Sequence, residues 1–322
     1  MYLGNYELNK FVLLTGAGFT RDFGGFLANE MWALIFNDPH IQDYPSVKNL
    51  MKREFSYEFI YDEILEGNFS DEEKKSITNA IRSAYEKLDK KLYSYKHAKH
   101  PVSIDDVNKF IARFAWNRPQ KGFIFTLNQD RFIERFFSSS DYSIVTLGVP
   151  KLLITDITDY DDIQLPDSIG SMVNKISDAQ FFYVKLHGSY KWKSSDGSDR
   201  MVIGRNKKDQ MEKEPILKYY LDCFKEVLSM PDIKLFVIGY GFGDEHINKI
   251  IADAIMNNNL KLYVLNPCNP EIFKNNLHSD KISRGERIWN GLTGYYPYSL
   301  SQVFPGVETV EYKLIQDSYF NA

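Results

Sequence analysis

Two residues of this sequence carry side chains that could act together on a sugar: Asn128, within Thr126-Leu127-Asn128-Gln129-Asp130, and His187, within His187-Gly188-Ser189. An amide donates and accepts hydrogen bonds without adding charge, so Asn128 can fix a water or a ribose hydroxyl. An imidazole takes a proton near neutral pH, so His187 can assist proton removal. Asp130 can lend electrostatic support. The same residue types also have structural uses, Asn128 as a turn residue bonded to nearby backbone and His187 as a turn histidine, and at this level both readings stay open. His246 reads as a capping or packing residue, and His40, His97, His100 and His278 as solvated ones.

Glycine turns stand near the pair. Gly16-Ala17-Gly18-Phe19-Thr20 follows one apolar run and Gly239-Tyr240-Gly241-Phe242-Gly243-Asp244 another. Glycines at such positions let backbone turn sharply and approach a diphosphate, while N–H groups of a following helix favour an anion. The spacing departs from the dinucleotide fingerprint, because Gly24 lies six residues beyond Gly18 where three are usual. Asp244 suits either a ligand contact or the N-cap of a helix carrying Ile247, Ile250, Ile251 and Ile255.

These residues need strands that end together. Short apolar runs at Phe11–Leu14, Gly122–Phe125, Phe181–Leu186, Lys234–Ile238 and Lys261–Leu265 each stop at small or polar residues, the last at Asn266-Pro267. Four of the five precede a plausible helix. The expected fold is therefore α/β: a Rossmann-like parallel sheet with helices on both faces and its ligand crevice beyond the carboxyl ends of the strands. Residues 43–116 read as a helical insertion and 1–42 with 117–322 as the Rossmann-like domain. In the insertion, Ser70 and Glu73 form a capping-box signal ahead of Ile77, Ile81, Tyr85, Leu88 and Leu92. A second helix near Ser103 places Val107, Phe110, Ile111 and Phe114 on one face. Asp156–Asp178 reads as an acidic surface excursion, and Lys191–Glu214 as a hairpin or small polar flap at the sheet edge.

Composition removes several function classes. With 43% hydrophobic and 15% aromatic residues, intrinsic disorder is not the main character of the 322-residue chain. Lys+Arg 39 against Asp+Glu 43 gives a net charge of -4, so no overall attraction to nucleic acid or anionic lipid is expected. Neither a signal peptide nor a window of ~18 apolar residues is evident, so a cytoplasmic protein is expected. Cys223 and Cys268, the only 2 cysteines, cannot build a four-thiolate zinc site.

Taken in order, GAGFT at 16–20, TLNQD at 126–130, KLHGS at 185–189, IGYGFGDEHIN at 238–248 and VLNP at 264–267 resemble the sirtuin family, and look most like the bacterial sirtuin-like branch found in anti-phage defence. The resemblance implies that Gly16, Ala17, Gly18, Phe19 and Thr20 cradle the pyrophosphate of NAD. It places Thr126, Asn128 and Asp130 around the nicotinamide and its ribose, makes His187 the catalytic histidine, and sets Gly239, Tyr240, Gly241 and Asn266 at the adenosine end. Leu127 departs from the usual Gln of the family. The four-cysteine zinc module of deacylating sirtuins is missing, and the segment Trp192–Glu214, where an acyl-lysine peptide would be expected, is largely polar. Water then becomes the acceptor, NAD the substrate, and no metal is required. NAD is favoured over its phosphorylated form, since no 2′-phosphate pocket is evident. The resemblance further implies control by homo-oligomerisation or by a partner such as a hexameric DNA-translocase-type ATPase, since the 55 or so residues after Pro267 are too few for a sensing domain of ~100 residues. Phe55, Tyr57, Phe59 and Tyr61, with Tyr295, Tyr296 and Tyr298, read as subunit contacts or as core.

Overall fold

A computed structural model describes residues 7–94, 101–115, 120–136, 145–146, 163–165, 181–194, 197 and 199–321. His97, His100 and most of Asp156–Asp178 lie outside these residues. Among the described residues there are ten strands: β1 (Leu8–Thr15), β2 (Lys121–Thr126), β3 (Val145–Thr146), β4 (Ile163–Gln164), β5 (Phe181–Lys185), β6 (Gly188–Lys193), β7 (Asp199–Met201), β8 (Lys234–Ile238), β9 (Lys261–Leu265) and β10 (Leu292–Tyr296). Seven form one sheet in the order β10-β9-β8-β1-β2-β5-β3. All its pairings are parallel.

The apolar runs are continuous because both faces of the sheet are covered. Successive side chains alternate: Leu13, Ile124, Tyr183 and Phe236 enter one core cluster, and Val12, Leu14, Phe123, Phe125, Val184, Leu235 and Val237 the other. The first face is packed by helices that lie between β1 and β2 in the chain, among them Tyr57–Glu66, Asp71–Tyr93 and Ile104–Ala115. The second is packed by Pro215–Leu228, Glu245–Asn258 and Pro270–Leu277. The expected Rossmann-like α/β fold with helices on both faces is thus present, with β3 and β10 added at its two edges.

Local sequence accounts for these helices. Glu73 N–H donates to Ser70 Oγ at 3.2 Å and Ser70 N–H to Glu73 Oε2 at 2.8 Å, completing the capping box. Ile77, Ile81, Tyr85, Leu88 and Leu92 then line the buried face of that helix. Val107, Phe110, Ile111 and Phe114 are each 0% exposed, and burying side chains of this size contributes roughly 1.5–3 kcal/mol apiece.

The segment after His187 is a hairpin, β6 pairing antiparallel with β7, and β4 adds to it in parallel. The expectation of a polar flap needs correction. Strand alternation hides Tyr190 and Trp192 on the inner face, and Val202, Ile203 and Met211 are buried beyond them. The polar composition describes the outer face, which carries Lys191 and Lys193.

Sheet order fixes where a site can form. From β1 the chain winds to one side through β2 and β5, then crosses to the other side of β1 with β8, β9 and β10. The direction reverses between β1 and β8, and a ligand crevice forms outside the strand ends at such a switch point.

Candidate active site

At the switch point the two glycine turns lock into one another. Gly16 N–H donates to Ile238 O and Gly18 N–H to Gly239 O, both at 2.9 Å. A Cβ on Gly239 would stand 2.1 Å from the Phe19 nitrogen, and one on Gly18 2.7 Å from the Gly239 Cα. With φ at 67°, Gly239 also needs the left-handed region. Gly18 and Gly239 are therefore required first for turn-to-turn contact.

Asn128 is set by a threonine ladder. Thr15 Oγ1 donates to Thr126 Oγ1 at 2.8 Å, and Thr126 Oγ1 accepts the Asn128 N–H at 3.0 Å. The loop is also tied to the hairpin, since Gln129 Nε2 donates to Val202 O at 2.7 Å and Ser189 Oγ to Gln129 O at 3.0 Å. Asn128 is 8% exposed, and its Nδ2 is buried without a hydrogen-bond partner. An orphaned amide donor costs free energy unless something is bound to it, which makes Asn128 a candidate binding group.

Asp130 accepts the Phe132 N–H at 3.0 Å and so opens the helix Phe132–Phe136. Burial pushes its carboxyl up to about 6, although Lys185 pulls the other way. Lys185, itself fully buried, donates to Asp130 O and to Glu134 Oε1, the latter at 2.9 Å. His187 is 3% exposed, and burial holds its imidazole down at about 3, hence neutral at physiological pH. Its Nε2 stands 3.2 Å from His246 Nε2.

These groups line one cleft of about 300 Å³, within the range of small-molecule sites. Of the residues singled out in the sequence, Gly16, Ala17, Thr20, Asn128, Asp130, His187, Gly239, Tyr240, Gly241 and Asp244 line it. Four do not. Gly18 lies behind the wall against Gly239, and the Phe19 ring is in the core with Phe23 and Phe132. Thr126 is 0% exposed and acts on Asn128 from beneath. Asn266 follows β9, one strand farther out, where its Oδ1 accepts the Cys268 N–H at 2.9 Å.

Tyr240 and Asp244 have structural work as well. The Tyr240 hydroxyl donates to Asn248 Oδ1 at 3.0 Å and accepts the Asp244 N–H at 3.0 Å. Asn248 Nδ2 in turn donates to Phe242 O at 2.6 Å, securing a loop in which Phe242 adopts a φ of 58°. Asp244 occupies the N-cap position of Glu245–Asn258 without a side-chain capping bond. Its carboxylate instead accepts from Lys207 Nζ at 2.8 Å, and the same ammonium reaches Glu58 Oε2 at 2.9 Å. Burial alone would raise the Asp244 carboxyl, but the facing His187 and Lys207 outweigh it and hold it at about 2.

One wall comes from the helical segment between β1 and β2. Ser56, Tyr57, Glu58, Tyr85 and Leu88 line the cleft, and the Tyr57 and Tyr85 hydroxyls meet at 3.3 Å. Of the aromatic residues considered as subunit contacts, Tyr57 and Tyr296 are buried, Phe59 lies beneath the Arg205 guanidinium, and Phe55 is 64% exposed. Sequence reasoning missed this wall, together with Lys207 and the role of His246. The one available signal was the Asp244-x-His246 spacing at the head of a helix. His40 and His278 are exposed, as expected. Among the described residues no group of three or more His, Cys, Asp or Glu is placed to hold a metal ion, and Cys223 is a buried free thiol. Nor is any described helix long and apolar enough to cross a membrane.

A parallel sheet with glycine turns, an amide and an imidazole at its switch point is a Rossmann-like α/β fold with a polar cleft. Residues 122–285 match the family model for the SIR2-like domain, which spans half the chain, and the chain belongs to that family. SIR2-like domains use NAD, and an NAD-related activity follows. The first glycine turn precedes the matched residues, yet the fold brings it against Gly239 within them. No curated protein sequence matches the chain.

Proposed function

We propose that this chain is an NAD glycohydrolase, releasing nicotinamide and ADP-ribose with water as the acceptor. The observation that supports it most is the convergence of Asn128, with its unpartnered buried Nδ2, and a neutral His187 in one cleft beside the glycine turns. The pyridinium of NAD is a good leaving group, and its departure develops oxocarbenium character at the ribose. Asn128 positions water and ribose, His187 bonds the ribose hydroxyls and takes up the proton, and Asp130 supplies negative potential when ionised. Gly16, Ala17 and Thr20 flank the phosphates, and Gly239, Tyr240 and Gly241 the adenosine side. Asp244 completes the wall, while Gly18, Phe19, Thr126 and Asn266 act through backbone or support.

The resemblance to the bacterial defence branch supports a role in depleting NAD during phage infection. It also supports activation by self-assembly or by a partner such as a DNA-translocase-type ATPase. Exposed Phe55 fits a contact of either kind. Residues 43–116 are proposed as a helical insertion into the Rossmann-like domain.

Purified full-length protein incubated with NAD, alone and with an acetyl-lysine peptide, tests the reading. Nicotinamide release without peptide is expected, falling roughly 100-fold or more in Asn128→Ala and in His187→Ala. Release only with peptide would identify a deacylase or ADP-ribosyltransferase instead, and binding without release a sensing subunit.

A further inference from the structure

His187 and His246 belong to different cavities. His187 lines the cleft of about 300 Å³. His246, on the helix Glu245–Asn258, lines a second and wider cavity of about 1020 Å³. The rings meet across the partition, with centroids 5.3 Å apart and planes inclined by 45°. The partition is built by Lys207, Asp244, Glu58 and Gly243, which border both spaces. Two Nε2 atoms 3.2 Å apart form a hydrogen bond only if one carries the hydrogen and the other its lone pair.

We propose that His246 is the proton outlet of the candidate site, carrying the proton removed at His187 through the partition to solvent in the second cavity. The inference rests on the hydrolase reading, in which each turnover of NAD with water frees one proton. In the starting state His187 Nε2–H donates to His246 Nε2. As the oxygen of the attacking water bonds to the anomeric carbon, its proton passes to His187 Nδ1. The Nε2 proton moves across to His246 at the same time. His187 is neutral again with its hydrogen on Nδ1, His246 is an imidazolium, and the His246 Nδ1 proton leaves to water. After product release each ring exchanges with water, His187 losing its Nδ1 hydrogen and gaining one on Nε2 while His246 loses its Nε2 hydrogen and gains one on Nδ1, which restores the first state with no net change in protons.

The electrostatics favour this direction. His187 is fully buried, and its low basicity makes it a poor resting place for positive charge. His246 is partly exposed. Burial depresses it too, but the Asp244 carboxylate opposes that effect. Around it stand Asp244 and Glu245 from its own helix and the preceding loop, Lys207 and Lys208 from Lys207–Lys213, and His187 from the end of β5. Glu58 reaches the same partition through Lys207. The Asp244 carboxylate favours the protonated form of both rings, so burial sets the direction: the charge moves from an enclosed imidazole to one that is partly exposed.

The test uses full-length protein, His246→Ala and His246→Gln. At saturating NAD, nicotinamide release is expected to fall by about 10- to 100-fold in both variants, with KM for NAD changed by less than about threefold. Added imidazole, which the second cavity can admit, is expected to restore at least tenfold of the loss in His246→Ala, something a purely structural role would not show. Unchanged kcat, or a deficit that imidazole leaves untouched, overturns the proposal. A second measurement needs no turnover. In protein labelled with 15N histidine, protonation of His246 is expected to shift His187 Nε2, and His246→Gln to alter that resonance. Two imidazoles that titrate independently overturn the relay alone, whereas coupled imidazoles in a wild type that never releases nicotinamide support the relay pair and refute the hydrolase reading alone.

Discussion

Asn128 and His187 have in common that burial removes their bulk-water partners while both still line the cleft. The Asn128 amide keeps an unmet donor, and His187 keeps an unprotonated ring. The histidine therefore leaves a mark on stability. Between pH 6.5 and about 3 the unfolded chain binds a proton at this position that the folded chain refuses, so stability falls as pH is lowered through that window. Asp130 acts in the opposite sense: with its folded value raised to about 6, it makes the fold bind the extra proton below that pH. Comparing urea unfolding of wild type and His187→Gln at a series of pH values isolates the histidine. The variant is expected to lose a slope of up to about 1.4 kcal/mol per pH unit; parallel curves would show that His187 is not buried neutral. At this scale the sequence was half legible. Asn128 and His187 stand at strand ends and announce themselves, whereas His246 and Lys207 take their meaning from partners across the fold, Lys207 lying 37 positions from Asp244, a juxtaposition that no local pattern encodes.

The strands and turns tell a different story. β1, β2, β5, β8 and β9 were visible because a strand covered on both faces must be apolar throughout. β10 was not, since Leu292-Thr293-Gly294-Tyr295-Tyr296 mixes small, polar and aromatic residues at the sheet edge, and β3 is only two residues long. Glycines at strand ends serve either a ligand or the fold, and the structure separates the two kinds. Gly239 is demanded by the fold, whereas nothing lies within 4 Å of a Cβ placed on Gly241, which borders the cleft. Gly239→Ala is expected to cost at least about 2 kcal/mol, from the left-handed backbone and the overlap with Phe19. Gly241→Ala should stay within about 0.5 kcal/mol of wild type, while Gly241→Trp should keep its melting temperature and lose affinity for NAD. Thermal unfolding with calorimetric titration of NAD checks both; equal destabilisation by the two alanines would contradict the distinction.

Across the whole molecule, the helical segment between β1 and β2 is bound to the far side of the sheet through the cleft itself. Glu58 on that segment, Lys207 and Asp244 form a continuous bridge. Near it, Arg205 faces Asp62 and Glu63, and Asn206 Nδ2 donates to Glu66 Oε1 at 3.0 Å. Removing the ammonium leaves two partly buried carboxylates facing each other without their shared cation, so Lys207→Met is expected to lose about 1–3 kcal/mol, with part recovered in the double variant with Glu58→Gln. Chemical denaturation measures this, and a Lys207→Met protein as stable as wild type would show the bridge to be incidental. The central claim concerns what accepts the ADP-ribosyl group in the reaction proposed for Asn128 and His187. Turnover of NAD in 18O-enriched water, with mass analysis of the ADP-ribose formed, answers it directly. The expected result is one labelled oxygen per ADP-ribose in amounts equal to nicotinamide, with no peptide present; unlabelled product, or NAD recovered intact until an acyl-lysine peptide is supplied, would contradict it.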